Sequence, residues 1–184
     1  MSQPEATGSP NQPDQDAAPR ARWWQISQPW VSLVLRLGIA AVALAAAIPK
    51  LGDLAQAKRA VYAYRIFPTA ISDLLGVAVP VVELAIGVAL VLGLFTRYAA
   101  ALFGLMMLGF MVGISQAWAR GLTIDCGCFG GGGELTEGQV TQYAIDLVRD
   151  AGLALASAVL MVWPASPASL DKVLRLDPVP KDAL

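Results

Sequence analysis

Apolar residues in this chain fall into four long runs separated by short polar stretches. Trp30 to Ile48 contains one charged residue, Arg36; Leu74 to Phe95 contains one, Glu83; Tyr98 to Trp118 contains none. The fourth run, Tyr143 to Trp163, carries Asp146, Arg149 and Asp150 in its first turns and is apolar afterwards. Each run is near the ~20 residues that a helix needs to cross a hydrocarbon core ~30 Å thick. Trp23, Trp24, Trp30, Trp118 and Trp163 fall at the run ends, where aromatic rings settle at the membrane–water interface. The pattern predicts an all-α membrane protein. Residues 23–164 are expected to form an antiparallel bundle of four transmembrane helices, with spans at 30–48, 74–95, 98–118 and 143–163.

The connections refine this picture. Spans two and three are joined by little more than Thr96-Arg97, which demands a helical hairpin. Between spans one and two, Asp53 to Ile66 has helical composition, with Leu54, Ala57, Val61 and Tyr64 on one face, and Pro68 stands as its stop. Such a segment lies along the interface, caps the bundle, or serves as a plain polar connection. Gly109 and Gly113 have the spacing of close helix packing within a bundle. Residues 1–22, with Pro4, Pro10, Pro13 and Pro19 among polar residues, are expected to be a disordered cytoplasmic tail; residues 165–184 form a second, short one. The N-terminal stretch lacks the basic and short apolar regions of a cleavable signal, so the first apolar helix is expected to be retained.

Composition narrows the chemistry. Hydrophobic residues make up 56% of the 184 and charged residues 15%, too greasy for an ordinary soluble domain. A net charge of −1 gives no electrostatic footprint for nucleic acid, which is excluded as a partner. Histidine does not occur, which removes Ser-His-Asp and Cys-His catalysis, His-ligated haem and Cys2His2 zinc.

The only two cysteines stand in Cys126-Gly127-Cys128-Phe129-Gly130. A disulfide between them closes almost no loop and so removes little entropy from the unfolded chain, which makes it a poor staple. Gly127 permits the sharp turn that brings the sulfurs together, and strained or exposed disulfides are the labile, exchanging ones. The spacing favours a redox pair. Two thiolates are also competent to hold Cu(I). Zinc is weaker, with only Asp125, Glu134 and Glu137 nearby to complete four ligands. No metal site is assigned. Asp125 disfavours a thiolate beside it, so activation has to come from elsewhere, with Lys50 at the end of span one and Arg149 in span four as candidates. The glycines from Gly130 to Gly133 lack the Gly-Lys-Ser/Thr of a phosphate loop and are expected to give the dithiol mobility.

Charges inside a bilayer usually face the bundle and find partners. Asp146 and Arg149 are three apart and can pair on one helix face, whereas the neighbours Arg149 and Asp150 are expected to point apart. The cluster belongs to the outer third of span four, beneath the cysteine loop, with Glu83 deeper and Arg36 towards the opposite face. Locking the helices together and serving the dithiol are compatible roles. Basic residues number six on the side of the tails and five on the other, which gives no orientation under the positive-inside rule. Disulfides persist outside the cytoplasm, so the cysteine loop is placed outside and both tails in the cytoplasm.

From Ser32 to Trp163 the chain resembles the MauE branch of the DoxX-like membrane proteins, named for methylamine utilisation. The resemblance is carried by Arg36 and Gly38, by Pro80, Glu83 and Gly87, and by Leu94-Phe95-Thr96-Arg97. Its most specific carriers are Asp125-Cys126-Gly127-Cys128-Phe129-Gly130 and Arg149-Asp150. The resemblance implies a four-helix protein of the cell membrane engaged in thiol–disulfide chemistry with a thioredoxin-fold partner outside the cytoplasm. The expected function is therefore exchange through Cys126 and Cys128, with Arg149, Asp150 and Lys50 in support and a quinone as a candidate membrane carrier. Two other readings stand beside it: a non-catalytic assembly or maturation factor for a redox partner, and Cu(I) handling.

Overall fold

The structure, a computed structural model, describes residues 18–135, 141–164 and 169–173. The remaining parts of both expected tails, and Glu137, lie outside the described residues. Among the described residues six helices and one small hairpin occur in the order α1 (Ala18–Gly52), α2 (Leu54–Ala63), α3 (Thr69–Leu92), α4 (Thr96–Ala119), β1 (Ile124–Asp125), β2 (Gly133–Glu134), α5 (Tyr143–Val162) and α6 (Leu170–Val173). Among the described residues three helices are long and apolar enough to cross a membrane: Gln28–Gly52 of α1, all of α3 and all of α4. They mark a multi-pass membrane protein. Helix α5 has the length, but Asp146, Arg149 and Asp150 make its first half too charged to qualify on composition.

Helix α1 begins at Ala18, inside the segment 1–22 expected to be a tail, because Pro19 is tolerated in a first turn and good helix formers follow. Helix α3 starts at Thr69, five residues before its expected span, with Pro68 as its N-cap. The turn into α4 comes earlier than Thr96-Arg97: Gly93, left-handed at φ 65°, ends α3, and Thr96 is already helical. Asp171 closes that end of the molecule, accepting hydrogen bonds from the amides of Phe95 (2.7 Å) and Thr96 (2.9 Å). A cap of this kind contributes about 1 kcal/mol. Arg36 is buried near the same end, where Asp171 acts on it.

Helix α1 packs along α3, α4 along α5, and α2 lies against α3. The main core joins α1, α3, α4 and α5 through Ile39, Ala43, Ile86, Leu90, Phe103 and Leu160. Many of its members are alanines, and small side chains let helices approach closely where lipid supplies no hydrophobic drive. The Gly109/Gly113 pair does not serve this purpose. Among the described residues no atom lies within 4 Å of where a Gly109 Cβ would stand, and Gly113 meets the ring of Tyr64.

At the end opposite Asp171, α2 forms under its own cap: the Asp53 carboxylate accepts from the Gln56 amide at 2.8 Å. Its buried face is Ala57, Ala60 and Ala63, whereas Leu54 is exposed. Ala57 and Tyr64 of the expected face do pack, and Ala60 joins them because the loop approaches its methyl closely.

Candidate functional site

The chain from α4 to α5 folds back as a hairpin, with Ile124 paired to Glu134 and Asp125 to Gly133. Inside it the cysteine motif is pinned to α2. Gly127 has φ 69°, and a Cβ there would stand 2.8 Å from the Ala60 Cβ. Gly132, at φ 84°, meets the same methyl at the same distance. Gly127 and Gly132 therefore answer to close approach of the loop to α2. Polar contacts fasten the loop further: Gln56 Nε2 donates to Gly132 O at 2.5 Å, Tyr64 Oη donates to Cys126 O at 3.1 Å, and Arg65 pairs with Glu134. On the other flank Tyr143, at the start of α5, donates to Leu122 O and accepts from Ile124 N at 3.2 Å.

This scaffold brings Cys126 and Cys128 together as free thiols, with the Cys128 amide 3.4 Å from Cys126 Sγ. Arg149 of α5 reaches up to the pair: one guanidinium nitrogen lies 3.8 Å from Cys126 Sγ, and the guanidinium stacks 5.1 Å from the Phe129 ring centre. Arg149 is held from below by Asp146 (2.9 Å) and by Asp150 (2.9 Å). The expected Asp146 pair is present. The expectation that Arg149 and Asp150 point apart fails, because the long arginine stem folds back over its neighbour and both carboxylates grip one guanidinium. A cavity of about 460 Å³ opens beside the pair, lined by Cys126, Cys128, Phe129, Asp125, Asp146 and Arg149 among others.

The two thiols are electrostatically unequal. A hydrogen bond from the Cys128 side, backed by one from Arg149, draws Cys126 below the ordinary thiol range despite its partial burial. The same hydrogen bond, together with burial, holds Cys128 well above that range. Asp125 accepts from the Gly127 amide at 3.3 Å, and the Asp146 carboxylate works against ionisation of Cys126.

Lys50 is placed differently from the sequence expectation. Its ammonium donates to both carboxylate oxygens of buried Glu83, at 2.7 and 2.9 Å, and lies 5.7 Å from the Phe110 ring centre. It shares a cavity of about 70 Å³ with Cys126 and Cys128, but its charge is spent on Glu83. Among the described residues no three His, Cys, Asp or Glu side chains are grouped to hold a metal ion. Sequence reasoning missed Ala60, Gln56, Tyr64 and Tyr143. Only Tyr64 gave any signal, as an aromatic residue on the packed side of α2.

A dithiol in a glycine loop, with an arginine–aspartate pair beneath it, is the combination singled out from the sequence, and residues 28–164 match the family described as methylamine utilisation protein MauE. The chain belongs to the MauE family. The methylamine utilization protein MauE of Paracoccus denitrificans is 34% identical over 145 residues, 78% of this chain and 76% of that protein. The protein of the same description from Methylorubrum extorquens is 35% identical over 148 residues, with the same shares covered. No solved structure matches this chain. The family match ends at residue 164 and so covers the dithiol hairpin and all of α5, the elements that build the site.

Proposed function

We propose that this MauE-family protein is a membrane component of extracytoplasmic thiol–disulfide exchange, serving a methylamine-utilisation system like that named in its relatives. The observation that carries this reading is the unequal pair: Cys126 beside Arg149, and Cys128 donating to it. A thiolate is the attacking species in disulfide exchange, and a second, protonated thiol is what resolves the adduct. Cys126 attacks the disulfide of a thioredoxin-fold partner, forming a Cys126–partner mixed disulfide and releasing one partner thiolate. Cys128 then attacks Cys126 Sγ and releases the second. Two electrons pass to the partner, and Cys126–Cys128 is left oxidised; the reverse sequence oxidises the partner.

In this reading α5 is the fourth span of an antiparallel bundle in the cell membrane. Its polar first half is sheltered by α4 and the loop, with Asp150 buried, and its later turns are apolar. The cysteine hairpin lies on the extracytoplasmic side, where a disulfide persists. A quinone remains the chemical class proposed for the membrane carrier. The 70 Å³ cavity is far below the ~300 Å³ of small pre-formed ligand sites, so its residues do not fit a lodged quinone ring.

The test is an acid-quenched trap in intact cells, with alkylation and non-reducing separation of membranes from Cys126→Ser and Cys128→Ser strains. Cys128→Ser should accumulate a mixed disulfide with a thioredoxin-fold extracytoplasmic protein, and Cys126→Ser should not. If neither variant traps a partner and the double variant functions normally, exchange is refuted and a non-catalytic assembly role takes its place.

A further inference from the structure

Closing the Cys126–Cys128 disulfide requires Cys128 to lose a proton, and one side of Cys128 faces the bundle. There, a cavity of about 20 Å³ is lined by Cys128, Phe129, Arg149, Asp150, Glu83 and Phe110 among others. That volume just exceeds the ~10–15 Å³ that a single water occupies. Two carboxylates reach the cavity, and they are not equivalent. Glu83 has both oxygens on the Lys50 ammonium. Asp150 gives Oδ1 to Arg149, whereas its Oδ2 is fully buried with no hydrogen-bond partner among the described residues. A buried acceptor left bare carries an uncompensated desolvation cost. Asp150 is 1% exposed, so bulk solvent cannot relieve that cost. The thiol of Cys128 is the proton-bearing group that shares the space.

We propose that Asp150 accepts the proton of Cys128, directly or through one water, as Cys128 attacks the mixed disulfide. This deepens the exchange reading above and rests on it. The Cys128 S–H bond breaks and its proton passes to Asp150 Oδ2. The new Cys126–Cys128 bond forms as the bond from Cys126 to the partner breaks, and the departing thiolate takes up a proton from outside. On reduction of the pair Asp150 returns the proton. The groups that act on it are Arg149 and Asp146 on its own helix, Lys50 on α1, Glu83 on α3 and Cys128 on the loop, while α4 presents Phe103, Met107 and Phe110.

The test uses the full-length protein in lipid nanodiscs with dithionitrobenzoate, which releases one coloured thiolate when Cys126 attacks and a second when Cys128 resolves the adduct. In Asp150→Asn the second release at pH 7 should fall on the order of 100-fold, the usual contribution of a general base, while the first stays within about threefold. The gap should narrow as pH rises and hydroxide takes over, and Asp150→Glu should restore most of the second phase. A second release as fast as wild type, or both phases slowed equally at every pH, would overturn the assignment. Should Asp150→Asn fold poorly, the wild-type profile decides. An internal base makes the second phase flat through the neutral range; a rise of about tenfold per pH unit refutes it. Wild-type adduct that never releases a second thiolate sinks thiol exchange itself, which separates the two failures.

Discussion

Replacing Arg149 with glutamine removes the cation that lies 3.8 Å from Cys126 Sγ. Two unit charges ~4 Å apart interact by about 1 kcal/mol in bulk water and about 4 kcal/mol at an effective dielectric constant of 20. The Arg149 side chain is 27% exposed, which puts the interaction towards the lower end, about 2 kcal/mol. At ~1.4 kcal/mol per unit, the Cys126 titration should move up by about 1.5 pH units. The sign is fixed: loss of a cation disfavours the thiolate, and Asp146, left unmatched, pushes the same way. Below both midpoints the thiolate fraction drops about 30-fold, but each thiolate becomes a better nucleophile by about fivefold, so the rate falls only about fivefold. Above both midpoints the variant should be faster than its parent. The two curves therefore cross. The assay is the pH dependence of iodoacetamide alkylation of Cys126, in a Cys128→Ser background that keeps a hydroxyl donor beside it. A midpoint that stays within about 0.3 unit, or moves down, would show that Arg149 does not activate the thiol.

Two further predictions concern the frame around the site. Lys50→Met strands the Glu83 carboxylate in the bundle and should cost about 3–5 kcal/mol, read from denaturant unfolding in detergent, while Lys50→Met with Glu83→Met should recover most of it. A double variant no more stable than the single would mean that the pair is not a closed buried unit. Gly127→Ala should cost about 1–2 kcal/mol for its left-handed backbone, with a further loss from the clash against Ala60. Adding Ala60→Gly should restore only the second part, and complete recovery in thermal unfolding would contradict the backbone contribution.

The tiers of the site differ in how far they can be read without coordinates. Cys126 and Cys128 are legible because no other cysteine competes for the role and their spacing rules out a staple. Arg149 and Asp146 are legible because helical spacing of three places them on one face. Asp150 in the same pair is not, since spacing cannot show how a flexible arginine stem folds. Lys50 has the right depth for the dithiol, and only the packing of α1 on α3 reveals that Glu83 claims it first.

What the sequence determined by itself is whatever depends on composition and local period: apolar lengths that require a membrane, a tight α3–α4 hairpin, and a lone dithiol among glycines. Tertiary structure decided which partner each charge takes and why the loop glycines are there. The register of α2 against the cysteine hairpin is a contact across more than sixty positions, as the Tyr64 to Cys126 bond shows. No local pattern encodes that contact. It requires alanine at position 60 and glycine at positions 127 and 132, because two backbones and one methyl group occupy the same few ångströms. The inequality of the two thiols has the same origin, since it comes from the direction of one hydrogen bond and the reach of one guanidinium from a helix that starts after the loop has closed.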